Sequence, residues 1–237
     1  SSEATATYKR PLVVGETLVD LTGGLGVDFA AMARGRKHAT YVERDADLCR
    51  LARHNLPLLG LPDATVVNDN CETFVKHCEP ADTFYFDPAR RDDLGQRVYA
   101  IADCTPNACL LAPLLLERLA RRVIVKLSPM LDVSAVVSAL PCLSELHIVG
   151  AGGECKELLA VMDRNYSGFT TVICQMIGQP AVTYVHGAPQ PTVPLWDGVA
   201  NDKATILYIP NATVMKGGCF GILTRDFPGL RAVSAMS

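Results

Sequence analysis

Hydrophobic and polar positions alternate along this chain in blocks that change period. Apolar runs at Thr17 to Leu21, Ala39 to Glu43, Thr65 to Asn68, Thr83 to Asp87 and Arg122 to Leu127 are short and rich in β-branched and aromatic residues, which predicts buried strands. Between them lie stretches with helical spacing. A helix begins near Val27 or Asp28, carries Phe29, Ala30, Met32 and Ala33, and stops at Gly35. A second covers Asp45 to Leu59, with Leu48, Leu51, Ala52 and Leu56 on one face and Pro57 late in it. Shorter or longer helices follow at Glu72 to His77, Pro106 to Leu119 and Val133 to Leu140. In the Pro106 helix, Leu110, Leu114 and Leu115 are expected to face the sheet. Residues Ser1 to Arg10 suit a short helix or cap before the first strand.

Five strands alternating with helices imply a parallel sheet with right-handed crossovers. Two further apolar runs, Glu145 to Gly150 and Glu157 to Met162, are joined by a glycine-rich link and read as a hairpin. A closing hairpin adds one antiparallel strand, whereas a dinucleotide dehydrogenase more often continues with a second βαβαβ half. From about Tyr166 charged residues thin out and Pro and Gly rise. Thr170 to Met176, Ala181 to Val185 and Thr205 to Ile209 look like strands, and Asn211 caps a helix through Met215. The expected division is residues 1–165 as a cofactor-binding domain and 166–237 as a small α+β module.

The chemistry concentrates after the first strand, at Val19-Asp20-Leu21-Thr22-Gly23-Gly24-Leu25-Gly26-Val27-Asp28. Glycines allow close backbone approach and positive φ. The helix behind them presents free N–H groups and partial positive charge. Glu43 ends the next strand about twenty residues on, where a carboxylate can accept from ribose hydroxyls. This is the first turn of a nucleotide-binding α/β sheet, open at this point to a dinucleotide or another adenosine cofactor.

Bulk properties narrow the choice. The 237 residues suit one sizeable domain with an appendage, and 49% hydrophobic content allows a real core. No run approaches the roughly 18 apolar residues of a membrane span. A net charge of −3 gives no global basic field for nucleic acid. The nine cysteines include no Cys-x-x-Cys pair and no zinc spacing, so they read as reduced, small apolar residues and no metal is expected. The five histidines show no metal spacing either.

With Asp20-Leu-Thr-Gly-Gly-Leu-Gly26, Glu43 and Asp87-Pro88-Ala89-Arg90, the stretch from Gly15 to Asp163 resembles the class I S-adenosylmethionine-dependent methyltransferases. It is closer to a bacterial group of these that carries a THUMP-like module. Ser1-Ser-Glu-Ala-Thr-Ala-Thr-Tyr-Lys9, Phe86-Asp-Pro-Ala-Arg-Arg-Asp92, Lys126-Leu-Ser-Pro-Met-Leu-Asp132, Gly153-Glu-Cys-Lys-Glu-Leu158 and Ile209-Pro-Asn-Ala-Thr-Val-Met-Lys216 carry that likeness. Members of the group extend further at both ends, which implies that both ends are absent here. The resemblance implies a Rossmann-like sheet, mostly parallel with a closing antiparallel hairpin, and S-adenosylmethionine as cofactor.

It also implies roles. Gly23, Gly24 and Gly26 wrap the methionine and ribose part, and Asp20 orients the loop or the cofactor's amino group. Glu43 holds the ribose diol, and Asp69 or Asn70 meets the adenine amine. Thr22, Asp28 and Arg44 complete the cofactor set. Asp87 stands beside the methyl group, with Pro88 fixing the turn. Ala89 and Arg90 replace the second proline and the base-stacking aromatic of nucleic-acid amine methyltransferases. Arg90, Arg91 and Lys126 are candidates for substrate binding, through phosphate or carboxylate. Tyr8 and Lys9 could fold over the cofactor, and Glu154 and Lys156 could reach the site from the hairpin link. A cysteine-based mechanism has only Cys104 loosely placed and is rejected.

The expected activity is methyl transfer to RNA, with tRNA favoured because THUMP domains bind RNA, in the cytoplasm and without a membrane. The rivals are a methyltransferase of a small molecule or protein, a non-catalytic RNA-binding protein that kept the cofactor fold, and a nicotinamide enzyme. Thr22 stands where the last would need its first fingerprint glycine.

Overall fold

The computed structural model describes residues 1–89, 101, 104–196 and 206–233. The chain opens with α1 (Glu3–Lys9), closed at its start by a capping box in which Ser2 Oγ accepts from Thr5 N and Thr5 Oγ1 accepts from Ser2 N. Then follow β1 (Thr17–Asp20), α2 (Val27–Ala33), β2 (His38–Glu43), α3 (Ala46–Leu58), β3 (Thr65–Asn68), α4 (Cys71–Phe74) and β4 (Ala81–Phe86). The second half has α5 (Ala108–Arg118), β5 (Ala120–Leu127), α6 (Val133–Ala139), β6 (Leu143–Ala151), β7 (Glu154–Asp163), β8 (Thr171–Met176), β9 (Val182–Val185), α7 (Ala212–Gly217) and α8 (Phe220–Asp226).

The nine strands of the described residues form one sheet in the order β3-β2-β1-β4-β5-β7-β6-β8-β9. β3, β2, β1, β4 and β5 run parallel, and β7 is antiparallel to both β5 and β6. The closing hairpin therefore inserts its second strand between β5 and β6. The order reverses between β1 and β4, so their carboxyl ends diverge into a crevice, the usual ligand position in an open α/β sheet. Central strands are buried on both faces, and their residues, such as Phe84, Phe86, Val123, Val125, Leu158 and Ala160, form the main core.

The polar caps explain where the helices start. Asp45, Asn70, Asn107, Asp132 and Asn211 each accept one or two backbone N–H groups at the N-terminus of α3, α4, α5, α6 and α7. One expected face is wrong. In α5 the sheet side carries Leu111, Ala112 and Leu115, while Leu110 is 72% exposed and Leu114 40%. The Asn107 cap sets the phase of the helix, and leucines at 110, 111, 114, 115 and 116 suit more than one phase. Leu51 in α3 is likewise half exposed, its place on the core side taken by Cys49.

No gap in the sheet coincides with the expected boundary between 165 and 166. β8 pairs in parallel with β6 over six residues, from Glu145↔Thr171 to Gly150↔Met176, and β9 extends the same edge. α7 packs on β8, β6 and β7, with Val214 and Cys219 in the main core. Residues 206–209 are not a strand. They run without regular structure and expose Ile206, Leu207, Tyr208 and Ile209.

The corrected face of α5 gives a test. Leu115→Ala should destabilise the protein by about 2–5 kcal/mol through lost burial and the cavity left behind. Leu110→Ala should change stability by less than about 0.5 kcal/mol. Urea unfolding of both variants measures the difference.

Candidate active site

The glycine loop is fixed from both sides. Gly23 has no room for a side chain, since a Cβ there would lie 2.1 Å from the Tyr41 ring. Gly26 caps α2 at φ 77°, a conformation that favours glycine. From β2, the Tyr41 hydroxyl donates to Gly24 O, and Glu43 accepts from Gly24 N at 2.9 Å and from Asp45 N at 2.9 Å. Glu43 thus spans the loop after β1 and the start of α3. Each of its oxygens keeps a lone pair for a further donor.

From β4, the Asp87 N–H donates to Thr22 Oγ1 at 2.7 Å, which joins the loop to the next strand's end. Pro88 is buried directly after it. From β3, Asp69 lies beside Glu43, its N–H bonded to Glu43 O at 3.1 Å. Asn70 Oδ1 is committed to capping α4 through Glu72 N, which leaves only its amide as a donor. An adenine amine needs an acceptor, so of the two Asp69 has the suitable chemistry, with Oδ2 turned 3.7 Å from His77 Nε2. Arg44 is exposed after β2.

The structure also brings together charges that lie far apart in sequence. Lys9, at the end of α1, is fully buried, with Nζ 3.0 Å from Asp28 Oδ1 and 2.5 Å from Glu157 Oε1. Asp28 Oδ2 accepts from Tyr85 Oη at 2.9 Å and lies 3.6 Å from Lys126 Nζ. Lys126 then donates to Asp87 Oδ2. A continuous line of ion pairs therefore runs from β7 and α1 to the carboxylate at the end of β4.

The titration of these groups follows their partners. Burial pushes the Asp28 carboxyl up, but Lys9 and Lys126 outweigh it and hold it below its usual value. For Glu157 burial wins: Lys9 and Lys126 oppose it, Asp28 adds to it, and the carboxyl is raised. Burial pulls Lys126 down, yet Asp87 and Asp28 more than offset this and keep it protonated above its ordinary range. Asp20 is 1% exposed, with one oxygen accepting from Thr22 N at 2.9 Å. Burial pushes it up to about 8; the Thr22 bond opposes this, Asp28 and Asp87 add to it, and Lys126 opposes it.

The remaining candidates are placed as follows. Tyr8 turns its hydroxyl to β6, 2.8 Å from His147 Nδ1. Lys9 lies in the ion network and not at the surface. Glu154 and Lys156 pair with each other at 2.6 Å on the hairpin. Lys126 is held by two carboxylates. Arg90 and Arg91 lie outside the described residues. Glu157, Tyr85 and Tyr41 were missed by sequence reasoning. The one signal for Glu157 is an acid at the head of the apolar run Leu158 to Met162, in a strand buried on both faces. Among the described residues no cluster of His, Cys, Asp or Glu could hold a metal, and no helix is long and apolar enough to cross a membrane.

The strand order, the reversed β7, the glycine loop after β1 and the acid at the end of β2 define a Rossmann-like class I methyltransferase fold. A family model described as "Conserved hypothetical protein 95" matches residues 4–105. The chain is 30% identical over 153 residues to two proteins of Mycobacterium tuberculosis strains, each named an uncharacterized S-adenosylmethionine-dependent methyltransferase. That match covers 64% of this chain and 40% of the relatives' length. A solved structure of a candidate methyltransferase from Porphyromonas gingivalis superposes with a TM-score of 0.80 at 30% identity, over all of this chain and 62% of that one. The modification subunit of a candidate type I restriction enzyme from Vibrio vulnificus shares the fold at 15% identity and TM-score 0.51, over 76% of this chain and 47% of that one.

Breaking the ion line should be costly. Lys9→Met leaves Glu157 without its ion-pair partner and Asp28 with Lys126 alone, and should destabilise the protein by about 3–5 kcal/mol at pH 7. The deficit should shrink as pH falls toward about 4, where the two acids take up protons and need no cation. Chemical unfolding of the wild type and the variant at both pH values measures it.

Proposed function

We propose that this chain is the cofactor-binding and catalytic part of an S-adenosylmethionine-dependent methyltransferase that acts on RNA, with tRNA favoured. The observation that carries the first half is the loop Gly23 to Gly26, clasped by Glu43 and tied through Thr22 to Asp87, at the strand-order reversal of a methyltransferase sheet. When bound, S-adenosylmethionine supplies an electrophilic methyl group on a sulfonium. Gly23, Gly24 and Gly26 allow close backbone approach to its methionine and ribose. Glu43 accepts from the ribose hydroxyls, and Asp69 from the adenine amine. Thr22, Asp28 and Arg44 line the same edge.

Asp87 then faces the nucleophile. A carboxylate there accepts a hydrogen bond from an amine or hydroxyl and orients its lone pair for in-line attack. Lys126 fixes the direction of that carboxylate and keeps one oxygen occupied, so the other is the one offered to substrate. Pro88 stiffens the turn that carries it. Arg90 and Arg91 follow in sequence and suit a phosphate.

RNA is supported by the likeness of Ile209 to Lys216 to the tail of a THUMP-like module. Next to it Tyr208, 67% exposed, offers a stacking surface and Lys216 a cation. In this reading residues 1–165 carry the chemistry, and 166–237 present the RNA from the β9 edge of the same sheet. The nine cysteines, with no Cys-x-x-Cys pair among them, fit a reducing cytoplasm.

Incubation with methyl-labelled S-adenosylmethionine and, separately, total RNA, total protein and a metabolite extract tests this. Label is expected in the RNA, concentrated in tRNA, and should be lost with Asp87→Ala. Label only in protein or small molecules would contradict the RNA half. Glu43→Ala should weaken cofactor binding about ten- to a hundredfold through one lost charge-assisted hydrogen bond, and unchanged affinity would contradict the cofactor half.

A further inference from the structure

Acids outnumber cations at the crevice. Asp20, Asp28, Asp87 and Glu157 converge with two ammonium groups, Lys9 and Lys126. Lys9 is taken up between Asp28 and Glu157, and Lys126 between Asp87 and Asp28. Among the described residues no cation pairs with Asp20, which is 1% exposed at the end of β1. Its one bonded oxygen accepts the Thr22 N–H. The groups facing it are Asp28 from α2, Asp87 and Tyr85 from β4 and its end, Lys126 from β5 and Tyr41 from β2. Burial raises both phenols above their usual range, so they stay neutral and supply no charge. A buried carboxyl in this position keeps its proton unless a positive charge arrives.

We propose that the cofactor enters this cluster as its missing cation: Asp20 is protonated in the cofactor-free protein and releases its proton to solvent when positively charged S-adenosylmethionine binds. This rests on the cofactor reading above. The α-ammonium is common to S-adenosylmethionine and S-adenosylhomocysteine. The sulfonium is not, because methyl transfer leaves a neutral thioether. The crevice therefore favours the charged cofactor over its product. After transfer Asp20 has lost a neighbouring positive charge, takes a proton back from solvent, and the product's hold weakens. Asp20 is in this account a specificity-determining residue that sets which form of the cofactor the site retains.

Calorimetric titration of the whole chain at pH 7, in two buffers with widely different ionisation enthalpies, tests the inference. S-adenosylmethionine should bind with a buffer-dependent heat that corresponds to release of about one proton per site. S-adenosylhomocysteine should release fewer protons and bind at least about tenfold more weakly. Because acid opposes loss of the proton, affinity for S-adenosylmethionine should rise about tenfold per pH unit from pH 6 toward 8 and level off above that. Asp20→Asn keeps an acceptor for Thr22 N and cannot ionise, so its binding should lose both the buffer dependence and the pH dependence. The wild-type comparison decides alone if that variant does not fold. Binding of S-adenosylmethionine with equal heats in both buffers, or proton release that persists in Asp20→Asn, would overturn the inference and leave the cofactor reading intact. No binding of S-adenosylmethionine would overturn both.

Discussion

The Lys9 ammonium, buried between Asp28 and Glu157, is the constraint on which the crevice depends. A buried cation is tolerated only with partners in place. Those partners come from α2 and β7, so Lys9 fixes α1 against both the helix behind the glycine loop and the reversed strand. Asp28 passes the constraint on. It receives the Tyr85 hydroxyl and faces Lys126, and Lys126 holds Asp87. The direction of the Asp87 carboxylate is in this way set by five side chains from five elements. A network of this kind adds little net stability over a well-packed apolar core, but it specifies one arrangement of its members.

The sheet supplies the other half of the site. Strand order turns back between β1 and β4, the position where an open α/β sheet leaves a gap for ligand. Into that gap go the glycine loop, Thr22 and Asp87. Tyr41 and Glu43 from β2 press the loop from the opposite side, and the Tyr41 ring explains why position 23 carries no side chain. The loop is thus held in shape before any ligand arrives, and a preorganised site costs less to fill.

Much of this was legible in the chain. Runs of β-branched residues with helical spacing between them gave five parallel strands and the closing hairpin, and Thr65 to Asn68 has the expected bounds. Asn211 marked its helix because a side-chain cap is a local signal. The glycines, Glu43 and Asp87 could be placed because strand ends of a parallel sheet meet at one edge. What failed was non-local or degenerate. Helical spacing in a leucine run does not choose between Leu110 and Leu111, and the choice came from a cap and from packing. Ile206 to Ile209 has strand-like residues but no partner strand among the described residues. β8 reads as a strand from sequence, yet only its pairing with β6 shows that the sheet continues past residue 165. Lys9 and Glu157 are 148 positions apart, and no sequence spacing announces that they meet.

The central claim is that the crevice between β1 and β4, and no other surface, receives an adenosyl cofactor. Backbone amide shift mapping during titration with S-adenosylhomocysteine tests it most directly. The account predicts saturable shifts at Gly23, Gly24, Gly26, Asp45, Asp69 and Asp87, with the β8–β9 edge and α8 unchanged. Saturable shifts confined to that edge, or none at the glycine loop, would contradict it.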